Sequence, residues 1–158
     1  MEPSRGLHGR RTVSGMPHTA TTSGPVTAVA AADPVAAERH FLDRLAFETD
    51  PSDVASQLRD APDEIVLVDT RSAEAYAEAH ITGAVSLPHA TIDAEALATL
   101  PPDALVVTYC WSVTCNASTK GAARVAALGR PVKEMIGGIV AWESEGFAIE
   151  RTSHQRAS

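Results

Sequence analysis

Cysteine and aromatic residues are both scarce in this sequence. Cys110 and Cys115 are the two cysteines among 158 residues, and Phe, Tyr and Trp together make up 4%. Two close cysteines do not make the disulfide framework of a small secreted domain. They favour thiol chemistry in a reducing compartment, so we expect a cytoplasmic protein. With few aromatic residues, Ala, Val, Leu and Ile must fill most of the core.

Positive charge and long apolar runs are also lacking. Thirteen Lys and Arg stand against twenty Asp and Glu, a net charge of −7. An acidic surface disfavours nucleic acid and anionic membranes as partners, and an anionic substrate would need a local positive site. No apolar run reaches the roughly 18 residues of a membrane span. The two cysteines have no second Cys/His pair with zinc-ligand spacing, so we expect no metal and no other cofactor.

The first 35 residues lack the side chains that build a core. They contain four of the ten prolines, four of the ten glycines, eight Ser or Thr and no aromatic residue. Such a segment cannot offset its ordering entropy, so residues 1–35 are predicted to be a disordered tail. Arg10-Arg11 is faintly similar to a twin-arginine export signal, but the stretch that follows is too polar to be the apolar segment of such a signal. Translation from Met16 instead of Met1 stays open.

Residues 36–150 alternate between helical and strand patterns. Strand patterns occupy Ile65–Val68, Ala84–Leu87, Leu105–Tyr109 and Val132–Ile136, and helical patterns Ala36–Glu48, Ile92–Leu100 and Ile139–Glu145, with further helices beginning after Asp50, Ser72 and Asn116. This order predicts one α/β domain, with a parallel β-sheet flanked by helices on both faces. Residues 151–158 are predicted to be a disordered C-terminal tail.

Cys110 directly follows the strongest strand pattern, where ligands bind in open α/β sheets. The loop amides could converge on its sulfur, aided by the positive end of a helix that Asn116 can cap. Lowering a thiol pKa by about 1.5 units takes roughly 2 kcal/mol, whereas a helix end supplies about 0.3–1 kcal/mol. Because the loop contains no His, Arg or Lys, several amides would be needed. The alternative is that Cys110 is a small buried apolar residue.

Three motifs in order resemble the rhodanese family. The first signature is matched by Val68-Asp69-Thr70-Arg71, Tyr76, His80-Ile81-Thr82-Gly83-Ala84 and Leu87-Pro88; the strand entering the active-site loop by Val107-Thr108-Tyr109-Cys110; and the C-terminal signature by Gly137-Gly138-Ile139-Val140-Ala141-Trp142 with Gly146-Phe147. The resemblance covers roughly residues 50–150 and implies a rhodanese-like three-layer fold. It also implies that Cys110 takes a sulfur atom from a donor such as thiosulfate, as a persulfide, and passes it to a thiol or cyanide.

The active-site loop departs from the common family pattern. The loop or the helix after it is longer, and the usual Gly and basic residue are replaced by Ser112, Val113 and Thr114. The Cys-Trp-x-x-x-Cys-Asn pattern resembles a bacterial branch of single-domain rhodaneses. By position, the substrate-binding loop comprises Trp111, Ser112, Val113, Thr114, Cys115 and Asn116. The identity of the sulfur donor therefore stays open.

Two residues at the end of a neighbouring strand pattern are expected to support the site. Asp69 is expected to be mainly architectural, accepting hydrogen bonds from the loop or from Arg71. Arg71 either pairs with Asp69 or Glu74, or leans over the site as its nearby cation. Trp111 could wall the pocket, pack under the loop or contact a partner.

Two other functions compete with sulfur transfer. A thiol redox protein would use Cys115 to resolve an oxidised Cys110, and a noncatalytic docking module would need neither cysteine. A phosphatase would need an Arg six residues after Cys110, where Asn116 stands. The role of Cys115 and the choice between monomer and homodimer stay open.

Overall fold

A computed structural model describes residues 24–152. The chain divides into two compact units, Met1–Pro34 and Val35–Ser158. In the described part of the first unit, the backbone N–H of Thr27 donates to the carbonyl of Gly24 in a turn. Most of the predicted N-terminal tail, with the alternative start at Met16, lies outside the described residues, as do residues 153–158.

Helices and strands alternate along the second unit. The helices are α1 (Pro34–Phe47), α2 (Pro51–Asp60), α3 (Ala73–Glu78), α4 (Ala94–Ala98), α5 (Ala117–Ala127) and α6 (Gly138–Ser144). The strands are β1 (Glu48–Thr49), β2 (Ile65–Asp69), β3 (Ala79–Ile81), β4 (Val85–Ser86), β5 (Leu105–Tyr109), β6 (Val132–Met135) and β7 (Ile149–Arg151). Short 3-10 turns occupy Pro62–Glu64 and His89–Thr91.

The main sheet is parallel and has the order β1-β6-β5-β2-β4. Successive residues of β2 and β5 point to opposite faces, and each face has its own apolar core. On one face, Leu67 and Val107 pack with residues of α2 and α6; on the other, Val66, Val68 and Val106 pack with residues of α4 and α5. The predicted α/β fold with helices on both faces of a parallel sheet is confirmed.

Side chains cap helices at two predicted positions and at one that the sequence patterns did not indicate. Asp50 accepts from the N–H of Asp53 at 2.8 Å, and Ser72 accepts from that of Ala75 at 3.2 Å. Helix α4 is shorter than the predicted Ile92–Leu100, because Asp93 caps it. Asn116 precedes α5, but its side chain makes no capping hydrogen bond, so that prediction is wrong.

The patterns missed the shortest strands. The first predicted helix, Ala36–Glu48, includes Glu48, but Glu48 and Thr49 form β1, which pairs with β6. The Thr49 carbonyl accepts from the N–H of Ile136 at 2.9 Å. Strands β3 and β7 form a separate antiparallel pair. This pairing reaches Arg151, and the N–H of Thr152 donates to the Glu78 carbonyl at 3.0 Å. Two or three residues are too few to show a period in the sequence.

Within residues 24–152, no helix combines the length and the apolar character needed to cross a membrane.

Candidate active site

The loop between β5 and α5 rests on the start of α6. The N–H groups of Ile139 and Val140 donate to the carbonyls of Cys110 and Trp111 at 2.9 and 3.0 Å. Gly138 has φ +60°, and a Cβ there would lie 2.4 Å from the Cys110 carbonyl oxygen. Only glycine allows this close approach without moving the loop. Gly137 has φ +81°, a left-handed backbone conformation that also favours glycine.

The Cys110 sulfur is buried, with 2% of the residue exposed. Its S–H donates to the Cys115 carbonyl at 3.0 Å, and the Ser112 carbonyl lies 3.8 Å away. Burial raises the pKa of the Cys110 thiol, and hydrogen bonds from the Ser118 hydroxyl and N–H oppose this without offsetting it. Cys110 is therefore held mainly as a neutral thiol.

Ser118 connects Cys110 to a carboxylate. Its Oγ lies 3.1 Å from the Cys110 sulfur and 2.6 Å from Oε1 of Glu134. The Thr119 hydroxyl also donates to Glu134, at 3.0 Å. Thr108 fixes the start of α5 on β5 by donating to the Ser118 carbonyl at 3.2 Å. A hydroxyl has one hydrogen, so Ser118 can donate either to the Cys110 sulfur or to Glu134, and the contact to the carboxylate is the shorter of the two.

Cys115 lies in different surroundings from Cys110 and is partly exposed. Burial opposes its ionisation, but the N–H groups of Ala117 and Trp111, the Cys110 thiol and the charge of Arg71 together lower the pKa of the Cys115 thiol. The amides that were expected to converge on Cys110 are thus divided between two sulfurs. Those of Ala117 and Trp111 act on Cys115, and that of Ser118 acts on Cys110.

Asp69 and Arg71 form a buried ion pair beside the loop. Their side chains are 0% and 2% exposed, and Arg71 Nη2 lies 2.6 Å from Asp69 Oδ2. The Tyr109 hydroxyl donates to the same carboxylate at 2.7 Å and accepts from the Ile81 N–H at 3.2 Å. Burial raises the pKa of Tyr109 above its ordinary value, so the hydroxyl stays a donor. The prediction that Arg71 pairs with Asp69 is confirmed, and Glu74 is not its partner.

The remaining loop residues are mostly at the surface. The Trp111 ring covers the guanidinium of Arg71, whose Cζ lies 4.4 Å from the centroid of the ring. Trp111 as a residue is 46% exposed. Val113 is 85% exposed. The hydroxyls of Ser112 and Thr114 lie 3.0 Å apart and brace the loop internally. Trp111 thus lines the cavity that contains Arg71, and its exposed part leaves a partner contact open.

Two cavities flank the loop, each of about 410 Å³. The first contains Cys110 with charged neighbours Arg44, Glu48 and Glu134. The second contains Arg71, His89 and Trp111. Cys115 lines both cavities. The loop therefore separates two spaces, and Cys115 lies between them.

Sequence reasoning missed three residues that surround Cys110. Ser118 and Glu134 lie eight and twenty-four positions beyond it, and Arg44 belongs to α1. A weak signal existed for Glu134, because it is a charged residue near the carboxyl end of β6, the strand next to β5. No local pattern marks Ser118, because Ser at this point of a helix is ordinary.

No group of three or more His, Cys, Asp or Glu that could hold a metal ion occurs in the described part of the chain. The fold and the site define a parallel α/β domain that presents a two-cysteine loop at the carboxyl ends of its strands.

Comparison with known proteins identifies the family. The model of the rhodanese-like domain matches residues 50–145. The chain belongs to the rhodanese-like domain family.

Three known proteins show the range of the similarity. The BH2092 protein from Bacillus halodurans is 41% identical with a TM-score of 0.73, over 76% of this chain and 88% of that one. Thiosulfate sulfurtransferase from Pseudomonas aeruginosa is 26% identical with a TM-score of 0.57, over 74% of this chain and 21% of that one. The HTH-type transcriptional regulator Rv0324 of Mycobacterium tuberculosis is 33% identical over 87 residues, 55% of this chain and 38% of the regulator. The chain thus spans less than half the length of that regulator.

Proposed function

We propose that the protein is a sulfurtransferase that carries sulfane sulfur as a persulfide on Cys110. The observation that carries this proposal is the place of Cys110, which follows β5 directly and opens into a cavity of about 410 Å³. The similarity to a thiosulfate sulfurtransferase supports the reaction class. The donor is a small sulfane-sulfur compound such as thiosulfate, and the acceptor is a small thiol or cyanide.

The loop offers the persulfide several stabilising contacts. The Ser118 N–H and hydroxyl approach the Cys110 sulfur, and α5 begins one residue before Ser118. Hydrogen-bond donors and the positive end of a helix favour an anionic terminal sulfur. A reducing compartment such as the cytoplasm would keep Cys110 and Cys115 as thiols between turnovers.

A second candidate is a thiol redox function. It is favoured by the closeness of the two cysteines, since the Cys110 S–H donates to the Cys115 carbonyl at 3.0 Å and both residues line the same cavity. Redox cycling would join the two sulfurs and needs both. Sulfur loading ends instead on one cysteine and adds a sulfur atom to the chain.

Intact-mass spectrometry separates these candidates. The protein is incubated with thiosulfate, excess donor is removed and the mass is recorded. Wild type should gain one sulfur atom and lose it to cyanide. Cys110→Ser should abolish cyanide-dependent turnover, since a serine hydroxyl is not ionised at neutral pH. A wild-type mass that falls by two hydrogens, with no sulfur gained from any donor, would favour the redox protein.

A further inference from the structure

Within residues 24–152, the carboxylate of Glu134 in the Cys110 cavity pairs with no basic side chain. The other titratable groups that line this cavity are Arg44, Glu48 and Cys115. Arg44 is committed to Glu48, since its Nε and Nη2 donate to Oε2 of that carboxylate at 3.1 and 2.7 Å. The cavity therefore carries one unbalanced negative charge, on Glu134, when both thiols are neutral.

Glu134 is held beside the reacting sulfur. It is partly buried near the carboxyl end of β6, and the Thr119 hydroxyl lies 3.0 and 3.1 Å from its two oxygens. The Ser118 hydroxyl lies 2.6 Å from Oε1 of Glu134 and 3.1 Å from the Cys110 sulfur. A single hydroxyl thus connects the unbalanced charge to the sulfur that would carry the persulfide.

The Ser118 hydroxyl has one hydrogen for these two acceptors. An ionised carboxylate forms the stronger hydrogen bond, so an unpaired Glu134 draws the hydrogen away from the sulfur. A cation bound to Glu134 offsets its charge and makes it a weaker acceptor, which favours donation to the Cys110 sulfur. Donation to sulfur stabilises a thiolate. The charge on Glu134 therefore controls how far Ser118 assists Cys110 as a leaving group.

We propose that the sulfur acceptor is a small thiol that carries a protonated amino group, and that Glu134 binds this group in the Cys110 cavity. This proposal rests on the proposed sulfurtransferase function and names the class of its acceptor. The ion pair holds the acceptor beside the persulfide and directs the Ser118 hydroxyl to the Cys110 sulfur. Glu134 is thus a specificity-determining residue that acts on the leaving sulfur through Ser118.

The transfer needs no oxidant or reductant. The acceptor thiol gives its proton to the outer sulfur of the Cys110 persulfide anion. The acceptor thiolate then attacks that outer sulfur, and the bond between the two persulfide sulfurs breaks. The bonding pair goes to the Cys110 sulfur, which accepts the Ser118 hydrogen bond. The new persulfide returns the proton to Cys110, so the products are a neutral Cys110 thiol and the persulfide anion of the acceptor.

Acceptor thiols that differ in charge test the proposal. The protein is loaded with thiosulfate, excess donor is removed, and cysteamine, 2-mercaptoethanol or 3-mercaptopropionate is added. Formation of the acceptor persulfide is followed after alkylation. Each rate is divided by the rate of the same thiol with an uncharged disulfide, which cancels differences in thiol pKa and nucleophilicity. On this scale cysteamine should react about fivefold faster than 2-mercaptoethanol, and 3-mercaptopropionate about fivefold more slowly.

Glu134→Gln removes the charge and keeps an acceptor oxygen for the two hydroxyls. The three thiols should then differ by less than about twofold, and loading from the thiosulfate dianion should become about two- to fivefold faster. Glu145→Gln is the matched control and should keep the wild-type order, because Glu145 is exposed and lines neither cavity at the loop. Ser118→Ala should slow transfer to cysteamine more than transfer to 2-mercaptoethanol.

The contrary results are distinct. If wild type shows no preference among the three thiols on this scale, or if Glu134→Gln keeps the preference for cysteamine, this inference fails and the proposed function stands. If Ser118→Ala slows both thiols equally, the part assigned to Ser118 is wrong. If wild type takes up no sulfur from any sulfane-sulfur donor, the proposed function fails and the inference fails with it.

Discussion

Replacing Gly138 by Ala should damage the active-site loop more than the fold. An alanine at φ +60° costs about 1–2 kcal/mol in backbone conformation. The new Cβ would also lie 2.4 Å from the Cys110 carbonyl oxygen and 2.6 Å from the Trp111 carbonyl carbon. An ordinary C···O contact is about 3.4 Å, so the loop backbone must move by roughly 1 Å. Such overpacking adds about 1–3 kcal/mol.

Gly146→Ala is the matched control at the other end of α6. Gly146 has φ +83°, but nothing lies within 4 Å of its ideal Cβ, so the substitution carries the conformational cost alone. Chemical denaturation should place Gly138→Ala about 1–3 kcal/mol below Gly146→Ala in unfolding free energy. Sulfur loading should fall about 100-fold in Gly138→Ala, as expected when a reacting group is displaced by about 1 Å. Equal stability and equal loading in the two variants would refute the reasoning.

Two further predictions concern the fold. Tyr109→Phe should lower the unfolding free energy by about 2–4 kcal/mol, as measured by urea titration. The substitution removes a buried hydrogen bond to Asp69 and leaves the Ile81 N–H without its acceptor. A loss below about 1 kcal/mol would contradict this role of the hydrogen bonds of Tyr109. A chain that begins at Asp33 should melt at the same temperature as the full chain in scanning calorimetry. A drop of several degrees would show that the earlier residues stabilise the domain, since about 1 kcal/mol corresponds to roughly 2–6 °C at this size.

Much of the fold follows from short patterns. The apolar runs of β2 and β5 are buried on both faces, as continuous runs of Val, Ile and Leu predict for parallel strands. Asp50 and Ser72 cap the helices that they precede, because these caps depend on residues three positions away. The two-residue strand β1 could not be predicted in the same way, since its conformation depends on pairing with β6, more than eighty residues later.

The sequence by itself determined the α/β class, the family signatures and the position of Cys110 at a strand end. These depend on residue type and on local periodicity, which the chain carries without reference to distant contacts. Only the tertiary structure decided which groups surround the two thiols. It brings Ser118, which is bound to Glu134, to the Cys110 sulfur, and it places Cys115 between two cavities. Hydrogen-bond directions depend on how a loop curls against residues distant in sequence, so no spacing in the chain encodes them.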